Sequence, residues 1–108
     1  MNEKIFNALT SALDIPVYKN RSDPQINAPA TIYRIISQVP ALVYDNGQYY
    51  QEKTVQVNIL TNDGQYDGYA RSVYDALSEI GGLWTDAVEI YENGFYEKVL
   101  RFNFLDKI

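Results

Sequence analysis

The sequence predicts an α+β fold, a two-layer sandwich in which two helices pack on one face of an antiparallel β-sheet and a β-hairpin projects from it. Three observations support this class. Two segments carry apolar residues at helical spacing. Several others are rich in β-branched and aromatic residues, as strands are. Asn-Gly pairs at 46–47 and 93–94 are typical of tight hairpin turns. We expect residues 1–108 to form a single domain.

The first helix is predicted over residues 2–13. Its apolar side chains recur every three or four positions, at Ile5, Ala8, Leu9 and Ala12. Pro16 marks the end of this helix, because a proline pushes the preceding residue out of the helical region. An irregular segment at 17–29 follows, in which Val17 and Tyr18 are candidates for a short edge strand.

The central part of the chain predicts a pair of strands. Ala30–Val39 is rich in β-branched residues and predicts the first, which Pro40 is expected to interrupt because proline is excluded from central strands. The segment 41–51 contains Asn46-Gly47 and predicts a hairpin turn. In Glu52–Thr61, apolar and polar residues alternate, which indicates an antiparallel strand with one buried and one wet face.

The second helix is predicted over residues 65–80, with Gly81-Gly82 as its C-terminal stop and Trp84 packing over its end. A second hairpin is predicted from Val88–Tyr91 and Tyr96–Leu105. In its last strand we expect three residues to face the core, namely Leu100, Phe102 and Phe104. We expect the opposite side to face solvent, namely Val99, Arg101, Asn103 and Leu105.

The turn before the second helix has two interpretations. Its sequence, T-N-D-G-Q-Y-D-G, places Asp63 and Asp67 beside glycines, as calcium loops do, but it lacks their alternating acids and closing glutamate. We expect Asp63 to cap the helix instead. Residue types alone leave a carboxylate-held cation open.

Composition argues against several kinds of function. The chain has no cysteine and no histidine, so disulfides and nucleophile–histidine catalysis are excluded. We expect no catalytic residue, no cofactor and no metal. Fourteen acidic and nine basic residues give a net charge of -5, which does not favour gripping nucleic acid. No stretch predicts a signal peptide or a membrane span, so we expect synthesis in the cytoplasm and no membrane partner.

The segment 40–51 is the candidate protein interface. The chain has ten tyrosines, a residue type enriched where proteins meet, and apolar and aromatic residues crowd around the first hairpin turn. The candidate interface residues are Leu42, Val43, Tyr44, Tyr49 and Tyr50. If the hairpin projects beyond the helices, these side chains have no core of their own and offer a contact surface. The alternative is an ordinary hairpin that folds back onto the sheet.

The order of short sequence strings is similar to that of a known group. A first helix runs into I-P-V-Y, and N-A-P-A-T-I-Y-R-I, an aromatic hairpin and T-V-Q-V-N-I-L-T follow. A helix of the type A-R-S-V-Y-D-A-L and a closing E-K-V-L-R-F-N-F complete the chain. This order resembles the tail-completion proteins of long-tailed bacteriophages and prophages, which include tail-terminator and head-to-tail joining proteins.

The resemblance implies a virion structural subunit without enzymatic activity. It implies a homo-oligomeric ring, commonly hexameric, at the head-proximal end of the tail tube. The expected partners are the tail tube protein and head-connector proteins, and DNA would pass through the ring without specific binding. The expected location is the virion, and the host cytoplasm during assembly. The family contacts its neighbours through loops and a long hairpin, which corresponds here to about 40–51.

The main alternative is a small acidic regulatory or inhibitor module that binds a host protein, for example by mimicking DNA. Such a module would show dense acidic residues on one face, whereas the acids here are interleaved with bases along the chain. An enzyme that works with carboxylates and tyrosine is a third and more remote interpretation.

Overall fold

The structure is a computed structural model that describes residues 2–19, 27–45, 48–92 and 94–107, with side chains for 3–19, 27–39, 50–92 and 94–105. The elements are α1 (Asn2–Ala12), β1 (Val17–Lys19), β2 (Ala30–Asp45), β3 (Gln48–Thr61), α2 (Asp67–Glu79), β4 (Leu83–Glu92) and β5 (Phe95–Lys107). The strands form one sheet in the order β1-β2-β3-β5-β4. The α+β prediction is confirmed, and the sheet is mixed because β1 joins β2 in parallel. Within the described residues, no helix combines the length and apolar character that crossing a bilayer requires.

Both helices pack on the same face of the sheet and bury a single main core. Four apolar side chains point into it from the helices, namely Ile5, Leu9, Val73 and Leu77. Seven meet them from the sheet, namely Tyr33, Val55, Val57, Ile59, Leu100, Phe102 and Phe104. Each such side chain contributes roughly 1.5–3 kcal/mol when fully buried. The predicted inward face of the last strand is therefore confirmed.

The end of α2 is fixed by the two glycines that the sequence marked as a stop. Gly81 has a φ of +99°, which favours glycine because it has no side chain. Its N–H donates to the Ser78 carbonyl at 3.1 Å, and the Gly82 N–H donates to the Leu77 carbonyl at 2.8 Å. This pair of bonds is the Schellman motif, which satisfies carbonyls at the helix end.

The expected interruption at Pro40 is wrong. Strand β2 continues through Pro40, which pairs with Gln51 of β3. Among the described residues the pairing of β1 with β2 ends at Lys19 and Tyr33, and at Pro40 no described strand pairs with the other side of β2. An edge position tolerates proline, because the missing N–H can lie on the unpaired side.

The expected helix cap at Asp63 is also wrong. Helix α2 begins at Asp67, and its N-cap residue, Tyr66, makes no side-chain capping bond. Asp63 instead accepts a hydrogen bond from the Gln65 N–H at 3.0 Å. Because this bond closes a turn ahead of the helix, Asp63 fixes the approach to α2 rather than its first turn.

The molecule is elongated, with extents of 50 × 23 × 21 Å. The long axis reflects β2 and β3, which have 16 and 14 residues. The pairing of β3 with β5 ends at Tyr50 and Lys107. The buried core ends earlier on both strands, at Val55 of β3 and at Phe104 of β5. The hairpin formed by β2 and β3 therefore projects beyond the two-layer part of the fold.

We predict that Gly82→Ala destabilises the protein. An added Cβ would lie 2.7 Å from Cζ of Phe104 and 2.8 Å from the Leu77 carbonyl oxygen, and the latter belongs to the backbone and yields little. The expected loss is about 1–3 kcal/mol of unfolding free energy, the usual cost of overpacking, measured by urea denaturation. Gly68→Ala is the matched control, since its Cβ meets nothing within 4 Å. An unchanged midpoint for Gly82→Ala would contradict the packing described.

Candidate assembly surface

The face of the sheet opposite the helices, here called the open face, has a polar centre. Arg101 donates from Nη1 to Oδ2 of Asp86 at 2.9 Å and from Nε to Oε1 of Gln56 at 3.2 Å. The Gln56 amide donates in turn to Oδ1 of Asn58 at 3.0 Å. These groups lie in adjacent strands, so the side-chain network ties β3, β5 and β4 together across the face. Because it is only partly buried, this ion pair contributes little to stability, about 0–1 kcal/mol.

Toward the hairpin, the open face carries exposed apolar side chains. Val39 and Leu105 flank Glu52 in one cross-strand row and are 48% and 55% exposed. Leu83, opposite Asn103 at the start of β4, is 70% exposed. Large apolar groups grouped beside a polar centre are typical of surfaces that another protein covers.

At the other end, the open face is partly closed by its own residues. Ala30, Ile32 and Leu60 form a second, smaller buried cluster under Tyr18 and Phe95. Val99 also lies at this end, between Asn58 and Val88, and is 6% exposed. The expectation that Val99 faces solvent is therefore wrong. Residues on the neighbouring strands bury it, and the sequence pattern of its own strand does not show which residues lie beside it.

Two glutamates at this end have pKa values shifted in opposite directions. Glu97 lies on the open face between Leu60 and Ile90, and burial together with the negative charge of Glu92 raises its pKa. Glu89 lies on the helix side, where a hydrogen bond from Lys98 at 2.9 Å lowers its pKa. The ionised form of Glu97 is therefore destabilised in the folded state, whereas the ionised form of Glu89 is stabilised by its hydrogen bond from Lys98.

The hairpin residues proposed as an interface are placed only in part. The backbone of Tyr50 pairs with Ala41 on one side and Lys107 on the other, and its side chain is half-buried. The side chains of the other four candidates lie outside the described residues, namely Leu42, Val43, Tyr44 and Tyr49. The Asn46-Gly47 turn also lies outside them, although Asp45 and Gln48 on either side of it are paired. The hairpin interface stays a prediction.

Strand β4 is a surface that the sequence reasoning largely missed. It was predicted to begin at Val88 but begins at Leu83, and it forms one edge of the sheet. Trp84 is part of this strand and packs edge-on against Tyr74 of α2, with ring centres 5.9 Å apart, so its predicted contact with the helix is confirmed. Five large apolar side chains of β4 are at least 40% exposed, namely Leu83, Trp84, Val88, Ile90 and Tyr91. The sequence does contain a signal for the full strand, which is the run of β-branched and aromatic residues that follows Gly82.

The arrangement offers three things to a partner. These are apolar contact area, a hydrogen-bonded polar centre and an edge strand whose outer side no described strand pairs, all of which are elements of protein interfaces. Among the residues that the structure describes, no three acidic side chains lie close enough to hold a metal ion.

Comparison with known proteins shows the fold in one further setting. A chain in the virion of a native gene transfer agent (GTA) particle matches this structure with a TM-score of 0.59. The match covers 96% of this chain and 92% of that chain at 12% sequence identity. At this identity the likeness shows that the two chains share a fold. No protein-family model and no curated protein matches the chain.

We predict that Glu97→Gln makes the protein more stable than the parent at pH 7 but not at pH 3. Because the pKa of Glu97 is raised in the folded state, the unfolded chain ionises first as the pH rises. The parent therefore loses stability between the ordinary glutamate pKa of 4.5 and the raised value, and the amide avoids this loss. The expected gain at pH 7 is below about 1 kcal/mol, since the site is partly exposed.

The measurement is urea denaturation across that pH range, with the exposed Glu79→Gln of α2 as a control for the change in net charge. Parallel stability profiles for the parent and Glu97→Gln would contradict the raised pKa.

Proposed function

We propose that this chain is a virion structural protein, a tail-terminator or head-to-tail joining subunit that assembles into a ring at the head-proximal end of a tail tube. The observation that carries the proposal is the fold shared with a chain of the gene transfer agent virion, which extends over nearly the whole of both chains. It agrees with the independent resemblance of the sequence strings to tail-completion proteins.

The shape of the subunit supports assembly with itself. A ring requires a head-to-tail contact between two different patches on each subunit. This chain has unlike surfaces to offer, since the hairpin projects from one end and the sheet has dissimilar edges and one open face. Exposed apolar residues lie on both β2 and β4, at Val39 and Val88 for example.

The distribution of charge favours a structural subunit over an acidic inhibitor. Two of the three acids of β4 are paired with cations of β5, Asp86 with Arg101 and Glu89 with Lys98, both at 2.9 Å. The described surface of this edge is therefore not the dense negative face that mimicry of DNA would need. A net charge of -5 also suits a ring through which DNA passes without sticking, because like charges repel.

The partners in this proposal are copies of the chain itself, the tail tube protein and head-connector proteins, within the virion and during assembly in the host cytoplasm. The test is light scattering after size exclusion over a concentration series, with and without purified tail tubes. We expect oligomers of one defined size, or co-migration with the tubes. A monomer at every concentration that also ignores the tubes would overturn the proposal and favour the regulatory module.

We predict that replacing Tyr49 and Tyr50 together with serine blocks assembly while the monomer stays folded. Two aromatic side chains at the base of the projecting hairpin would be lost, and aromatic residues often dominate the binding energy of an interface. The expected result is at least a tenfold weaker self-association by light scattering, with an unchanged circular dichroism spectrum. Tyr96→Ser is the control, because Tyr96 is a 43% exposed tyrosine at the opposite end of the sheet. Normal assembly of the double variant would remove the hairpin from the interface.

A further inference from the structure

Strand β4 is an edge strand that lacks lysine, proline and a described covering strand. Natural edges are commonly blunted by lysine, proline or a covering segment. The sequence of β4 contains no lysine, arginine or proline, and no described strand covers its outer side. A bulge at Thr85 disturbs its beginning, whereas Asp86–Glu92 runs in regular register with β5. This regular part carries Val88 and Ile90, which are 44% and 40% exposed on the open face.

Pairing of β4 with its own copy is disfavoured by charge. The strand contains three acids, Asp86, Glu89 and Glu92, and no base. An antiparallel pair of two β4 strands would place acids of one copy opposite or diagonal to acids of the other. Like charges across a strand pair are destabilising. Asp86 and Glu89 have cation partners in β5 but remain partly exposed, so a strand without acidic residues is the better partner.

The outer edge of β2 over residues 34–39 meets this requirement. Among the described residues the pairing of β1 with β2 ends at Lys19 and Tyr33, and beyond that level no described strand pairs with the outer side of β2. The segment 35–39 contains no acid, so it would not repel the acids of β4. Ile36 and Val39 are 45% and 48% exposed, which matches the exposed valine and isoleucine of β4.

We infer that β4 of one subunit adds to the outer edge of β2 in a second copy of this chain, which gives a head-to-tail contact. The direction is favourable, because β4 runs antiparallel to β2 within the sheet and a neighbour in the same orientation continues that alternation. The contact rests on the proposed self-assembly and specifies the surfaces that it uses.

The register of this contact follows from keeping the open faces of both copies on the same side. Val39 lies on the open face in line with Glu52, and Val88 lies on it in line with Val99. Placing Val88 opposite Val39 sets Ile90 opposite Ser37, just before the Ile36 bulge of β2 is reached. This register leaves β1 clear of the incoming strand. It also staggers successive copies along the strand direction, as closing a sheet on itself requires.

Disulfide trapping tests the contact, because the chain has no cysteine of its own. In a Val39→Cys/Val88→Cys variant the two positions of one chain are about 25 Å apart, three strand spacings across the sheet and about six residues along it, which is too far for a bond within the subunit. We expect mild oxidation of the assembled variant to give a ladder of covalent multimers on a non-reducing gel. Each single variant should give dimers at most.

The matched control is Val39→Cys/Leu105→Cys, in which both positions are exposed on the open face but Leu105 is not on an edge strand. It should give no ladder. A second measurement uses Val88→Lys, which should weaken self-association at least tenfold because it places a charge in the contact, whereas Val88→Thr should not.

The outcomes separate the inference from the proposed function. A ladder from the Val39/Val88 pair alone supports the contact. Efficient dimers of Val88→Cys would show that β4 pairs with itself and would overturn it. Normal assembly of Val88→Lys, together with no ladder, would also overturn it and leave the ring proposal standing. If the parent chain never associates, with or without tail tubes, the proposed function fails and the contact fails with it.

Discussion

The antiparallel pairing of β3 with β5 is the interaction on which the rest of the structure depends. Across it, Val55 lies opposite Phe102 and Val57 opposite Leu100, all facing the helices. Together with Ile59 and Phe104, these residues form the apolar surface on which α1 and α2 pack. The other strands attach on either side, β2 to β3 and β4 to β5, so the position of both edges follows from this central pair.

A consequence of this arrangement is that the helices cover only one face. The opposite face is stabilised by its own cross-strand contacts, with a polar network around Arg101 in the middle and a small apolar cluster under Tyr18 and Phe95. Outside these two features the face carries exposed apolar side chains, among them Val39, Leu105 and Leu83. The fold thus completes its interior while leaving surfaces that another chain can cover.

Local patterns in the sequence predicted where the helices and strands lie better than they predicted what packs beside each residue. The helical spacing, the alternation in β3, the Gly81-Gly82 stop and the second hairpin all depend on neighbours along the chain, and the structure confirms them. The errors at Pro40 and Val99 have a common cause, which is that strand order decides what lies beside a residue. For Pro40 the absence of a described strand on one side permitted continuation, and for Val99 adjacent strands gave burial. The side chains of most hairpin candidates lie outside the described residues, so that part of the site stays a prediction.

The two edges of the sheet are unlike, and this difference has a physical consequence for assembly. A surface that pairs with itself stops at a dimer, whereas two complementary and different surfaces propagate in one direction and close when the rotation allows. Here β4 has three acids and no base, whereas the segment 34–39 of β2 has no acid, and both expose branched apolar side chains. In an assembly built through the inferred contact, every copy would keep its helices on the same side of a continuous wall of strands. The two sides of that wall would then differ in chemistry, with helices on one and the polar centre around Arg101 on the other.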